Sequence, residues 1–128
     1  MIGLDTNLIV RLLTNDDKAQ AKHAAHLIQN HPVFIPKSVL LETEWVLRYT
    51  YTLKPEVIFA AFEKLLGIAH VTVEDPTCVS QALQWYADQF DFADALHLAS
   101  SHKTEKFATF DKKLIKKAKK YNIPTISL

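Results

Sequence analysis

The sequence predicts an α/β fold built on a mainly parallel sheet of about five strands, and three observations predict it. Short apolar stretches alternate with longer helical ones along the 128 residues, the pattern of βαβ units with right-handed crossovers and a sheet covered on both faces. Hydrophobic residues make up 48% of the chain, yet its longest unbroken apolar run, Val57 to Phe62, is six residues. That supplies a core and no membrane-spanning helix. Finally, two of the apolar stretches stop at a carboxylate, Asp5 and Asp111, and the carboxyl ends of parallel strands are where open α/β sheets bind ligands. A single domain over 1–128 accounts for this length, burying about two thirds of the surface its unfolded chain exposes.

The elements follow in order. Ile2 to Leu4 is the first strand, and a short helix runs from Thr6 or Asn7 through Leu13. Asp16 is expected to cap a second helix ending near Gln29, with Ala24, Ala25, Leu27 and Ile28 on its apolar face. Val33-Phe34-Ile35 is a strand ended by Pro36. Ser38 opens a helix to about Tyr51, and Pro55 takes the first position of another that Gly67 closes, the two forming a helical hairpin. Val71 to Val73 is the third strand, and Asp75-Pro76 begins a helix to about Gln89 with Asp75 as its cap. Asp91 caps the next helix, where Ala95, Leu98 and Ala99 recur at helical spacing behind an acidic start. The strand Phe107-Ala108-Thr109-Phe110 leads to Asp111, a Lys-rich helix continues to Tyr121, and Thr125 to Leu128 is the last strand.

Composition removes several function classes. Two glycines leave neither a phosphate-cradling P-loop nor a G-x-G-x-x-G turn. The single Cys78 has no Cys or close His partner for zinc and reads as a structural thiol. Asp5 and Arg11 stand where a signal peptide would be apolar, so a cytoplasmic protein without a membrane partner is expected. The net charge of +1 conceals a split: residues 1–102 carry 7 Lys and Arg against 12 Asp and Glu, net −5, and 103–128 carry 8 Lys against 2 acids, net +6.

The chemistry lies in Asp5, Glu42, Asp94 and Asp111, four carboxylates from four elements. Clustering them without a counterion is costly, since two charges about 4 Å apart repel by about 4 kcal/mol at an effective dielectric near 20. A divalent cation removes that cost. An oxygen-only donor set favours Mg²⁺ or Mn²⁺ over zinc, and four carboxylates balance either one ion or two. Such a site hydrolyses a phosphodiester with metal-activated water. Each acid also has a structural reading. Asp91, Asp94, Asp111 and Asp5 all stand where helix caps or first-turn acids belong. Glu42 shares a helix face with Val39, Trp45, Val46 and Tyr49, an apolar setting in which an acid needs a partner. Glu44, bounded by Leu40, Leu41 and Leu47, competes with it. His97 reads as an ordinary core or surface histidine. Thr109, two residues before Asp111, shares its strand face, and its hydroxyl would orient water or phosphate.

These motifs resemble a known family. The strand end Leu4-Asp5-Thr6-Asn7, the helix with Glu42 after a strand and Pro36, the Phe92-Ala93-Asp94-Ala95 helix start and the Thr109-Phe110-Asp111 strand end, in this order and at these separations, are similar to those of PIN-domain ribonucleases. Spacing and length most resemble the VapC-type toxins of bacterial toxin–antitoxin modules. The resemblance implies a three-layer α/β/α sandwich, Mg²⁺ or Mn²⁺ dependence, endonucleolytic cleavage of RNA, homodimerisation and inhibition by a small antitoxin. It assigns metal binding to Asp5, Glu42, Asp94 and Asp111 and supporting polar roles to Asn7 and Thr109, and it is this comparison, not helix geometry, that prefers Glu42 over Glu44. A haloacid-dehalogenase-like phosphatase would want an acid where Asn7 stands. A response-regulator receiver would want a lysine ending the last strand, and Pro124 to Leu128 has none. The remaining alternative is a catalytically silent PIN-like module that binds RNA or protein.

Two surfaces complete the expectations. Lys112, Lys113, Lys116 and Lys117 on the last helix are candidate phosphate contacts, with a solvated helix face as the plain alternative. Trp45, Val46 and Tyr49 with Phe59 and Phe62 of the next helix are candidates for a groove that takes an amphipathic antitoxin segment, unless they are hairpin core or a dimer contact.

Overall fold

A computed structural model describes residues 1–128. Five strands alternate with seven helices: β1 (Ile2–Gly3), α1 (Thr6–Thr14), α2 (Lys18–Asn30), β2 (Val33–Ile35), α3 (Lys37–Tyr49), α4 (Pro55–Leu66), β3 (Val71–Val73), α5 (Pro76–Ala87), α6 (Phe92–Ser100), β4 (Phe107–Thr109), α7 (Lys112–Lys120) and β5 (Thr125–Ser127). Every strand pairing is parallel, as the alternation requires.

The strands do not form one continuous sheet. They divide into β1-β2-β3 and β4-β5. The brevity of β1 explains the gap. Successive N–H groups of a strand point to opposite edges, and Ile2 and Leu4 already donate to the β2 side, to the carbonyls of Pro32 and Phe34 at 2.9 Å each. Only Gly3 is left for a neighbour on the other edge.

The core forms where the helices meet the larger sheet. Ile9 of α1, Ile35 of β2, Leu40 and Leu47 of α3, Ile58 and Phe62 of α4, and Phe92 of α6 are fully buried. The Phe92 ring packs against Phe62 at 5.8 Å and edge-on to Tyr86 at 5.1 Å. This joins α4, α5 and α6 and fixes where α6 begins.

Several local expectations change. The cap of α2 is Asp17, whose carboxylate accepts the Gln20 N–H at 3.0 Å; Asp16 instead pairs with Arg11 at 2.9 Å and accepts the Tyr51 hydroxyl at 2.6 Å. Helix α3 starts at Lys37 behind Pro36, not at Ser38. Asp75 precedes α5 in a left-handed conformation, φ 48°, without a side-chain cap. Its carboxylate turns to Lys37, 3.2 Å away, while neighbouring Glu74 accepts the Lys37 N–H at 2.9 Å. The two acids thus tie the β2–α3 and β3–α5 junctions together.

The structure also decides which face of α3 is inward. The buried residues are Leu40, Thr43, Glu44 and Leu47. Glu42, Trp45 and Tyr49 face outward, Trp45 56% and Tyr49 58% exposed. Helix α3 has apolar residues on more than one side, and the wetter stripe was the one that contained Glu42. Phe62→Ala is therefore expected to cost about 3–5 kcal/mol, as for a fully buried aromatic, whereas Trp45→Ala should stay within about 0.5 kcal/mol. Denaturant titrations of the two variants check the contrast, and equal losses would contradict this burial pattern.

Candidate functional site

The first part of the site forms where β1 ends. Asp5 is the N-cap of α1, and its Oδ1 accepts the Thr6 N–H at 2.8 Å. Thr6, only 4% exposed, sends its hydroxyl to Glu42 Oε1. One buried threonine thus holds the strand-end acid and the α3 acid on its two sides, leaving Asp5 Oδ2 and Glu42 Oε2 without a protein hydrogen bond. Asn7 is exposed at the rim of a depression of about 590 Å³ between α1 and α2, beside Leu8, Arg11 and His23.

The second part forms at the starts of α6 and α7. Asp91 caps α6, accepting the Asp94 N–H on Oδ2 at 3.1 Å. Asp94 stands in the first turn, half-buried, and its carboxylate makes no hydrogen bond or ion pair with the protein. Burial pushes its pKa up, the charges of Asp91 and Asp111 push it further, and His97 and Lys117 pull the other way. Asp111 caps α7, accepting the N–H groups of Lys113 and Leu114 on Oδ1 at 3.0 and 3.1 Å. The Thr109 hydroxyl accepts the Asp111 N–H at 3.0 Å, so it braces the strand end.

Glu44 belongs to neither part. It is 1% exposed, accepts the Tyr86 hydroxyl at 2.9 Å and lies 2.8 Å from Arg48 Nε. The latter contact is an ion pair without an aligned N–H. Burial raises the Glu44 pKa against the opposing influence of Tyr86 and Arg48, and burial with the adjacent Glu44 carboxylate raises that of Tyr86. Arg48 is disfavoured as a cation by burial, but Glu44, Tyr49 and Asp91 together hold its pKa above the ordinary value.

As a donor set, Asp5, Glu42, Asp94 and Asp111 suit a hard divalent cation: all are oxygen donors, each keeps at least one free oxygen, and no Lys or Arg pairs with any of them. Yet no three His, Cys, Asp or Glu side chains come close enough together to enclose an ion. The acids form two partial sites, Asp5 with Glu42 and Asp94 beside Asp91 and Asp111.

Sequence reasoning missed Thr6 and Arg48. The spacing of Glu44 and Arg48, four residues apart on one helix, was the available signal for the latter. Among the lysines, Lys112, Lys113 and Lys116 are exposed, but Lys117 packs inward, donating to the Gln89 carbonyl with its ammonium 5.2 Å from the Phe90 ring. In the expected partner groove, Phe62 is core and is removed from the set. Val46 is half-buried. The Trp45 and Tyr49 rings meet at 5.2 Å on the surface, tilted by 46°, and Phe59 lines a separate cavity of about 500 Å³ with Arg48, Tyr86, Phe90 and Asp91.

A family model described as the PIN domain matches residues 2–120. The chain belongs to the PIN domain family, and its parallel strands between layers of helices are the α/β PIN fold. Among solved structures, it is similar to VapC20 of Mycobacterium tuberculosis, described as a sarcin–ricin-loop-cleaving toxin, at 24% identity over 91% of this chain and 95% of that one, with a TM-score of 0.46. No curated protein matches it significantly. No helix is long and apolar enough to cross a membrane.

The raised pKa of Asp94 fixes the sign of a pH effect. A carboxyl that holds its proton more tightly when folded favours the fold at low pH, and that contribution disappears as pH rises from about 3.9, the unfolded value, through the higher folded one. In metal-free protein, Asp94→Asn should match the wild type at the acid end of this window and exceed it in thermal midpoint at neutral pH. A variant less stable than wild type at neutral pH would mean that Asp94 serves the fold as a first-turn acid.

Proposed function

We propose that this PIN domain, spanning 1–128, is a Mg²⁺- or Mn²⁺-dependent endoribonuclease that hydrolyses RNA phosphodiester bonds as the toxin of a toxin–antitoxin module. The observation that carries the reading is Asp94: a half-buried carboxylate beside Asp91 and Asp111 that forms no ion pair with any Lys or Arg. Crowded carboxylates with free oxygens are what a hard cation needs, and a divalent ion would turn the repulsion into ligation. The assignment to VapC-type toxins rests on the ordered motifs around Asp5, Glu42, Asp94 and Asp111.

Those four side chains would hold one or two ions. When bound, the metal supplies an activated water and stabilises charge on the phosphoryl oxygens. The chain does the rest. Thr6 fixes the Glu42 carboxylate, the backbone N–H groups of α7 fix that of Asp111, and Asp91 fixes the first turn that carries Asp94. Thr109 acts through the position of Asp111, and Asn7, exposed beside Asp5, is available to substrate. Lys112, Lys113 and Lys116 would contact the RNA backbone. Trp45, Val46 and Tyr49, with Phe59 near by, are the surface a cognate antitoxin would cover, and homodimerisation and a cytoplasmic location complete the reading. The separation of the acids into two partial sites favours a second reading, a silent module that binds RNA or protein.

Incubating the protein with generic single-stranded RNA, with and without Mg²⁺, separates the two. Cleavage that requires the ion, and that falls by several orders of magnitude in Asp94→Asn, is the expected result. RNA bound but left intact under both conditions would establish the silent module.

RNA affinity of the Asp94→Asn variant should fall linearly in log salt, by about 0.7 per contacted phosphate on a single strand. Changing Lys112, Lys113 and Lys116 to Gln should flatten that slope, and fluorescence anisotropy at graded salt measures it. An unchanged slope would move the phosphate contacts off α7.

A further inference from the structure

We propose that Arg48 is the positioning residue for Asp94, linking a carboxylate locked in the core to the cap of the helix that presents the site acid. The inference rests on the metal-dependent reading above and names a residue to which that reading gives no role.

The linkage runs through three elements. Glu44 of α3 is buried and cannot turn away, since Tyr86 of α5 donates to Oε2 at 2.9 Å and Arg48 Nε lies 2.8 Å from the same oxygen. The other end of the Arg48 fork reaches Asp91, with Nη2 3.2 Å from Oδ1. Asp91 offers its second oxygen, Oδ2, to the Asp94 N–H at 3.1 Å. One carboxylate thus holds a guanidinium on one oxygen and the first turn of α6 on the other. From the opposite side, the Tyr49 ring lies 4.6 Å from the guanidinium carbon and limits its swing.

Stability alone does not call for this arrangement, because a hydrophobic side chain of similar volume commonly serves a core as well as a buried ion pair does. A hydrophobic residue at position 44 would leave Arg48, and through it Asp91, without a fixed anchor. The bridge also calls for arginine: Nη2 donates both to Glu44 Oε1 at 3.3 Å and to Asp91 Oδ1 at 3.2 Å while Nε lies against Glu44 Oε2, a planar, side-on arrangement that the single ammonium of lysine does not reproduce.

The test separates position from stability. Arg48→Gln leaves Glu44 buried without its cation and is expected to lower the thermal midpoint. The double variant Glu44→Gln/Arg48→Gln removes both charges and should recover most of that midpoint while Asp91 stays unanchored. Mn²⁺ affinity of the RNA-free protein, followed by electron paramagnetic resonance, should be weaker by about 10- to 100-fold in both, the usual effect of losing a group that orients a metal ligand. Amide exchange at Asp94 should accelerate, and Arg48→Lys should restore neither property. A double variant that regains both its midpoint and wild-type Mn²⁺ affinity would reduce Arg48 to a structural ion pair and overturn the inference. Asp94→Asn separates this failure from that of the underlying reading: if it binds Mn²⁺ as wild type does, the metal site and the positioning role fall together, whereas weakened binding there beside full affinity in the double variant removes the positioning role alone.

Discussion

The candidate acids Asp5, Glu42, Asp94 and Asp111 form no ion pair with a Lys or Arg, and the arrangement around them depends on that constraint. Several other acids are paired: Asp16 with Arg11, Asp75 with Lys37, Glu44 and Asp91 with Arg48, and Asp88 with the Tyr121 hydroxyl at 2.7 Å. Asp5, Asp94 and Asp111 are supported differently, at the N-terminal ends of α1, α6 and α7. A helix N-terminus offers partial positive charge and free N–H groups. It steadies an anion without inserting an ammonium or guanidinium where a ligand must go. Caps therefore do for Asp5, Asp94 and Asp111 what ion pairs do for Asp16, Asp75 and Glu44.

Much of this was readable from residues because it depends on local chemistry. Strands that stop at Asp5 and Asp111, Pro55 and Gly67 at the ends of α4, and Asp91 as a cap all follow from short-range rules that tertiary packing did not override. Three of the candidate acids, Asp5, Asp94 and Asp111, stand at such boundaries, which is why the sequence singles them out. The failures have a common physical origin in contacts between distant segments. Asp75 did not cap α5 because Lys37, distant in sequence, competed for its carboxylate. The inward face of α3 stayed open in the sequence because periodicity reports that a side is apolar, not which side the neighbours cover. Glu44 is inside because Tyr86 and Arg48 satisfy it there, and Trp45 and Tyr49 are outside despite their size. The division of the sheet follows from the length of β1, and the pattern of apolar stretches could not reveal that.

The charge split acquires a spatial meaning in the same way. Most lysines of the last helix project into solvent, but Lys117 is drawn to the Gln89 carbonyl and the Phe90 ring and contributes to the field at Asp94. A run that looks uniform in sequence is split by packing into a solvated majority and one residue that belongs to the acidic site.

The two-stranded β4-β5 sheet has a consequence for how the molecule comes apart. A pair of short strands is marginal by itself, so the segment comprising β4, α7 and β5 depends on its ties to the turn between α5 and α6. The Tyr121 ring packs edge-on to Phe90 at 5.3 Å, the Tyr121 hydroxyl reaches Asp88, and Lys117 reaches Gln89. Leu114 joins the main core and Phe107 and Ile123 pack against it, yet no strand of this segment pairs with the larger sheet, and segments with fewer core contacts open at lower free energy than the centre. Asp111 and six of the chain's fifteen Lys and Arg residues sit on this segment, so its loosening would displace one of the four candidate acids and the basic helix together, ahead of the Phe62–Phe92 centre.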